Sequence, residues 1–150
     1  MLGEKFILIS IQPRYAEKIF MGVKTVEFRR VFPHVVHGRY MFVYISSPIK
    51  AISGFCEVAN IFLGDIDDLW NRYKLSGGIS EKEFSQYFRG KDRGYCVEIA
   101  SAHVLDKPIK LQNIRADYSA SEIPHQFTPP QNYCYIGKDH PLYNLLIRSI

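Results

Sequence analysis

Apolar and polar positions along the chain divide it into short elements. Phe6-Ile7-Leu8-Ile9-Ser10-Ile11 is an apolar run of strand length, and Pro13 ends it, which predicts a buried first strand. Arg14 to Met21 then places Tyr15 or Ala16, Ile19 and Phe20 at helical spacing, and Gly22 stands where a helix C-cap belongs. A second strand is predicted from about Lys24 to Val31, with Val26 and Phe28 on one face and Thr25, Glu27 and Arg29 on the other. Its polar face therefore carries an acid and a base two residues apart, with Lys24 at the entrance. Residues three apart point to opposite faces of a regular strand, so Lys24 and Glu27 meet only if the first strand residue is irregular.

Phe32-Pro33-His34 breaks that strand, Gly38 precedes a third at Tyr40–Ile45, and Ser46-Ser47-Pro48 forms a turn. A fourth strand lies within 51–63, with Gly54 marking a bulge or a close backbone approach. Asp65, Asp67 and Asp68 open a helix whose apolar side is Leu69, Trp70 and Tyr73, and Ser76-Gly77-Gly78 stops it. Ser80-Glu81-Lys82-Glu83 resembles a capping box for a second helix ending at Gly90, so residues of about 65–90 form a helical insertion between strands. Gly94–Ile99 resumes the sheet, and residues 102–105 extend it or pair with the next segment. The stretch 107–130 holds four prolines and little periodicity and is expected to be mostly loop. An extended edge segment over 129–136 and a terminal helix over 140–147 complete the chain. Five or six short strands with a few flanking helices predict one α+β domain over 1–150, built on a small, strongly curved sheet or barrel.

Composition agrees with a folded domain. At 150 residues one core buries roughly 70% of the unfolded surface, and a hydrophobic content of 47% with ten tyrosines and ten phenylalanines rules out a disordered tail. No apolar run approaches the ~20 residues of a membrane-spanning helix, and the start lacks a secretory signal, so the sequence reads as cytoplasmic with no membrane partner. Cys56, Cys96 and Cys134 are odd in number and widely spaced, which fits buried thiols. Charge is localised: residues 14–39 carry six Lys or Arg against Glu17 and Glu27, and this +4 equals the net charge of the chain. Such an excess attracts phosphates, and a solvated basic face gives the same count.

These residues suggest a chemistry. Arg29 and Arg30 offer planar forks and Lys24 a point charge for phosphate, and Glu27 can hold an arginine or accept from a base's exocyclic amine. Gln12, Arg14, Tyr15 and Lys18 from the strand end and helix add an amide, an aromatic ring and two cations beside them. Ser46 and Ser47 supply hydroxyls at a strand end. Together these are parts suited to an unpaired base and its backbone. Lys24 and Glu27 are also the candidate catalytic pair, lysine as nucleophile or proton shuttle and glutamate as general base. His34 and His37 are close in sequence but no Cys or acid completes a zinc-like set, so no metal site is expected. No dinucleotide fingerprint, P-loop or nucleophile elbow is present, and no cofactor is expected.

The opening Leu8-Ile9-Ser10-Ile11-Gln12-Pro13-x-Tyr15-Ala16-x-x-Ile19, followed by G-x-K-x-x-E-x-R at Gly22, Lys24, Glu27 and Arg29, resembles an ASCH domain of the PUA-like superfamily. The Tyr44-Ile45-Ser46-Ser47-Pro48 turn, Gly54-x-x-Glu57, Gly94-Tyr95 and Pro129-Pro130-Gln131 extend the likeness over nearly the whole chain. The resemblance implies a mixed PUA-like β-pseudobarrel of five or six strands whose signature, Gly22, Lys24, Thr25, Glu27 and Arg29 among it, lines a cleft beside the first helix. It also implies an RNA or nucleotide-like ligand. Some small ASCH proteins are similar to amidohydrolases acting on N4-acetylcytidine through a lysine, a threonine and a distal glutamate. Lys24 matches that lysine, and Glu27 stands at the threonine's place. Ribonuclease activity also occurs in the family. Three readings are open: an RNA-binding module with a basic cleft, a nucleoside- or RNA-processing hydrolase, and a protein-interaction module with a solvated basic face. The oligomeric state is not legible.

Overall fold

The computed structural model describes residues 5–33, 40–120 and 127–150, with the side chains of 117–120 left aside. The first elements follow from local chemistry. β1 (Lys5–Ile11) ends at Gln12, and Pro13 opens α1 (Pro13–Phe20) at its first turn, where its missing N–H leaves no bond unmade. Ala16 and Ile19 are the buried face of α1. The helix stops at Gly22, whose φ of +79° is a left-handed conformation that a side chain would disfavour. Val23 and Lys24 then both donate their amides to Lys18 O at 3.0 Å, wrapping the chain back under the helix before β2 (Val26–Arg29) starts.

β3 (Tyr40–Ile45) lies parallel to β1, and all other pairings among the described residues are antiparallel. β4 (Ala51–Asp65) and β5 (Arg93–Lys110) form a long ribbon whose register shifts near Gly54 and Val58. Gly54 is both the bulge and the close approach expected of it: a Cβ there would meet the Phe20 ring at 2.4 Å and His103 O at 2.5 Å. With β6 (Tyr133–Gly137) the sheet order is β2-β5-β4-β3-β1-β6. β2 and β6 are its edges, yet Arg29 Nη2 donates 3.0 Å to Asn132 O beside β6, and the rings of Phe32 and Tyr133 lie 5.6 Å apart. The sheet is thus rolled until its edges meet through side chains without closing by backbone pairs, the PUA-like α+β architecture.

Three apolar clusters fill the fold. One joins Phe6, Leu8 and Phe42 to the C-terminal α5 (Tyr143–Ile147), and one lies between the sheet and α1. The third packs Val26 and Phe28 against Leu69 of α2 (Ile66–Tyr73) and Phe84 and Phe88 of α3 (Glu81–Tyr87) and its end. Ser80 Oγ caps α3 by accepting from Glu83 N at 3.1 Å.

Several boundaries differ from the sequence reading. β2 is shorter than 24–31, because the turn after Gly22 consumes Lys24 and Thr25. Residues 94–99 and 102–105 belong to one strand, β5, which pairs with β4 on both sides of the shifts. The 107–130 stretch is not mostly loop: β5 runs to Lys110, and α4 (Leu111–Ala120) follows, with Leu111 and Ile114 buried in the first cluster. Two apolar anchors one turn apart give too narrow a stripe for periodicity to register. Pro108 sits in β5 where the register has slipped, a position a strand tolerates. His34, His37, Gly38, Arg39 and His125 lie outside the described residues.

Candidate nucleotide-binding cleft

The polar face of β2 is inside the protein. Lys24, Glu27 and Arg29 are 2%, 6% and 8% exposed, while Val26 and Phe28 take the opposite face as the alternation predicts. Lys24 Nζ lies 3.4 Å from Glu27 Oε1 and donates to Gly77 O, and Arg29 Nη1 lies 3.3 Å from Glu27 Oε2. Arg29 also donates to Ser10 O at 3.3 Å and Asn132 O at 3.0 Å. One carboxylate thus serves two buried cations. Among the described residues, Arg29 Nε is the buried side-chain polar atom without a partner.

This triad floors a cavity of about 720 Å³. The start of α1 forms one wall with Gln12, Arg14 and Tyr15, and α3 the facing wall with Glu83, Gln86 and Tyr87. Ser10, Tyr44 and Ser46 at strand ends and the 129–132 segment form the remaining sides. The walls are fastened to one another. Tyr15 Oη donates 2.6 Å to Glu83 Oε2, which also pairs with Arg14 at 3.0 Å, and Ser10 Oγ donates 2.6 Å to Pro130 O. Arg30 Nη1 donates to Tyr87 O and Arg89 O at 2.8 and 2.9 Å. The helical insertion therefore does two jobs, packing on β2 through Phe84 and Phe88 and walling the cleft with its other face.

Charge in the cleft is largely paired off. Arg14, Lys24, Arg29 and Arg30 face Glu27 and Glu83, and of these four cations Arg30 alone meets backbone carbonyls instead of a carboxylate among the described residues. Burial and the bond to Glu83 push the Tyr15 phenol up to about 12, and the same bond holds Glu83 below the usual carboxylate range. Burial likewise raises the Tyr87 phenol. It raises the thiols of Cys56 to about 12 and Cys134 to about 11, and that of Cys96 too; Cys56 and Cys96 are buried and Cys134 is half-buried.

Of the residues singled out from sequence, Gln12, Arg14, Tyr15, Lys24, Glu27, Arg29, Arg30 and Ser46 line the cleft. Four do not. Lys18 donates 2.9 Å to Gly78 O, Gly22 makes the turn, Thr25 is exposed with its backbone bonded to Ser76 and Ile99, and Ser47 precedes Pro48 in an exposed turn. Sequence reasoning missed Ser10, Tyr44, Glu83, Gln86, Tyr87 and Asn132 as lining residues. Glu83 had a signal in its capping box, but that motif accounts for the helix start and says nothing of the face opposite.

Residues 5–129 match the family described as a domain of unknown function, DUF365. An ASCH domain-containing ribonuclease of Zymomonas mobilis is 32% identical over 90% of this chain and 86% of its own. A crystal structure of the Zymomonas mobilis ASCH protein with a serine-to-alanine substitution superimposes with a TM-score of 0.84 at 27% identity, covering all of both chains. The N-terminal domain of McrB from Staphylothermus marinus has a TM-score of 0.52 at 14% identity over 99% of this chain and 95% of that one, a likeness of fold alone. Coverage and identity together make this chain a member of DUF365 and of the ASCH-domain family.

Proposed function

We propose that the protein binds RNA by taking one unpaired nucleotide into the cleft, its base toward the Lys24–Glu27–Arg29 floor and its backbone along the Arg14 and Arg30 rim. What supports this reading most is the convergence of those three buried polar residues on a cavity of about 720 Å³, roomy enough for a nucleotide. Tyr15 and Tyr87 in the walls offer ring faces and edges to a base, as single-strand recognition uses. The pairing of Lys24 and Arg29 with Glu27 argues for a base at the floor, since that carboxylate repels phosphate there. Fluorescence anisotropy with short single-stranded RNA at rising salt tests it. The expected result is binding that weakens with salt and is lost in Glu27→Ala; no binding at low salt overturns it.

A ribonuclease relative at 32% identity supports a second reading, in which bound RNA is cleaved in the same cleft. Glu27 then acts as general base toward a ribose hydroxyl that attacks the adjacent phosphorus and expels the next nucleotide's 5′ oxygen, and Lys24, fixed between Glu27 and Gly77 O, holds that carboxylate in position. Incubation of the pure protein with RNA reads this directly, and cleavage at full rate in Glu27→Gln removes the assignment. N4-acetylcytidine in the same assay separates the amidohydrolase alternative.

A further inference from the structure

We infer that the RNA strand leaves the cleft over the turn that follows α3, where Arg89 and Lys91 continue a line of phosphate contacts begun by Arg30. This path rests on the RNA-binding reading and deepens it, because it makes the ligand a strand of several nucleotides.

The two ends of α3 present different sides to the cleft. At its start Glu83 accepts from Tyr15 Oη at 2.6 Å and pairs with Arg14 at 3.0 Å, so the walls are tied there and the arginine's charge is shared. At its other end Gln86 and Tyr87 line the cleft, and no side-chain hydrogen bond among the described residues carries them across to α1 or to 129–132. A strand held at the floor meets a tie at one end of α3 and none at the other.

Cations gather at the untied end. Arg30 lines the cleft and is pinned through Nη1 to the carbonyls of Tyr87 and Arg89 at 2.8 and 2.9 Å. The chain then closes a tight turn, with Gly90 at φ +82° and Lys91 N bonded to Phe88 O at 2.9 Å. Arg89 and Lys91 flank that glycine, both exposed, and neither pairs with a carboxylate among the described residues. Arg93 is taken by Asp65 at 3.8 Å, which leaves Arg30, Arg89 and Lys91 against Asp92 at this corner.

The helix itself does not ask for these charges. Cations favour a helix C-terminus, but the last turn of α3 holds none, Arg30 already meets the carbonyls there, and Arg89 and Lys91 come after the helix has ended. Accessible, unpaired cations next to a nucleotide-sized cleft fit the backbone of a flanking single strand, whose phosphates release counterions when neutralised.

The test titrates oligouridylates of three and nine nucleotides into the full-length protein and into Arg89→Ala/Lys91→Ala, from about 50 to about 200 mM salt. Two further contacts at about 0.7 each steepen the nonamer's salt slope by about 1.4, so over that range the wild type should lose about sevenfold more affinity than the double variant. The trinucleotide, which reaches only the cleft and its rim, should bind both proteins alike. Lys107→Ala/Lys138→Ala removes the same charge from two exposed lysines outside the cleft and should keep the wild-type slope. A nonamer slope unchanged in Arg89→Ala/Lys91→Ala, or flattened as much in the Lys107/Lys138 variant, overturns the path and leaves RNA binding intact. A trinucleotide weakened as much as the nonamer overturns it too, by placing these cations at the cleft itself. Should the alanine pair not fold, Arg89→Gln/Lys91→Gln is read in the same way. Absence of binding to both RNAs at low salt sinks the RNA reading itself.

Discussion

Glu27 Oε1 stands 3.4 Å from Lys24 Nζ, although the two are three positions apart and a regular strand would turn them to opposite faces. The irregularity that joins them lies in the turn. Lys24 N bonds to Lys18 O rather than to a strand, so its side chain enters from beneath α1 and reaches the same interior as the β2 polar face. Gly22 at φ +79° permits that turn, and Gly78 lies so close that a Cβ would touch the Lys24 side chain at 3.0 Å.

Removing the Glu27 carboxylate leaves Lys24 and Arg29 buried without an acid. Breaking a buried pair costs about 3–5 kcal/mol, and Glu27→Ala is expected to lose about that much. Glu27→Gln keeps an acceptor oxygen and should lose less. Urea denaturation measures both, and an unchanged midpoint in Glu27→Ala would mean that the two cations find solvent.

Gly54→Ala places a methyl against His103 O at 2.5 Å and the Phe20 ring at 2.4 Å. The ring can tilt, but the carbonyl belongs to the β4–β5 ladder and cannot move without unpairing it. Overpacking of this kind costs about 1–3 kcal/mol or more. A melting temperature equal to that of the wild type would refute the rigidity assigned to the bulge.

The sequence made the floor of the cleft legible because period-two alternation dictates it: Glu27 and Arg29 share a face whatever the fold, and Val26 and Phe28 the other. The basic count misled in one respect. It registers Arg14, Lys24 and Arg29 as free charge, whereas Glu83 arrives from α3 and Glu27 turns inward to pair with them. Glu83 and Tyr87 were invisible as cleft residues because their approach depends on how α3 packs on Phe28, a contact between distant parts of the chain. The 107–120 segment was misread for a different reason, since α4 is anchored by Leu111 and Ile114 and carries no cap signal.

The Tyr15–Glu83 bond should show in alkaline stability. Tyr15 has its phenol raised from 10 to about 12, by burial first and by the bond to Glu83 second. The folded state thus holds the proton more tightly than the unfolded, so this contribution is fully present below pH 10 and lost as pH rises toward 12. Urea midpoints of the wild type and Tyr15→Phe are expected to differ at pH 8 and converge as pH climbs through that window. A gap that stays constant would place the protecting bond elsewhere.

The two rim arginines differ in how much charge each has left for a ligand. Single-stranded RNA contacts change the slope of log K against log salt by about 0.7 per neutralised phosphate, so two contacts predict a slope of about −1.4. Arg14 shares its charge with Glu83 at 3.0 Å, whereas Arg30 bonds to the carbonyls of Tyr87 and Arg89, which leave its charge uncompensated. Arg30→Ala should therefore flatten the slope more than Arg14→Ala. Glu83→Gln, which releases Arg14 from its carboxylate, should tighten binding at low salt and steepen the slope. Measured by anisotropy across salt, a Glu83→Gln protein that binds RNA no better than the wild type would show that the Arg14 charge never meets the backbone.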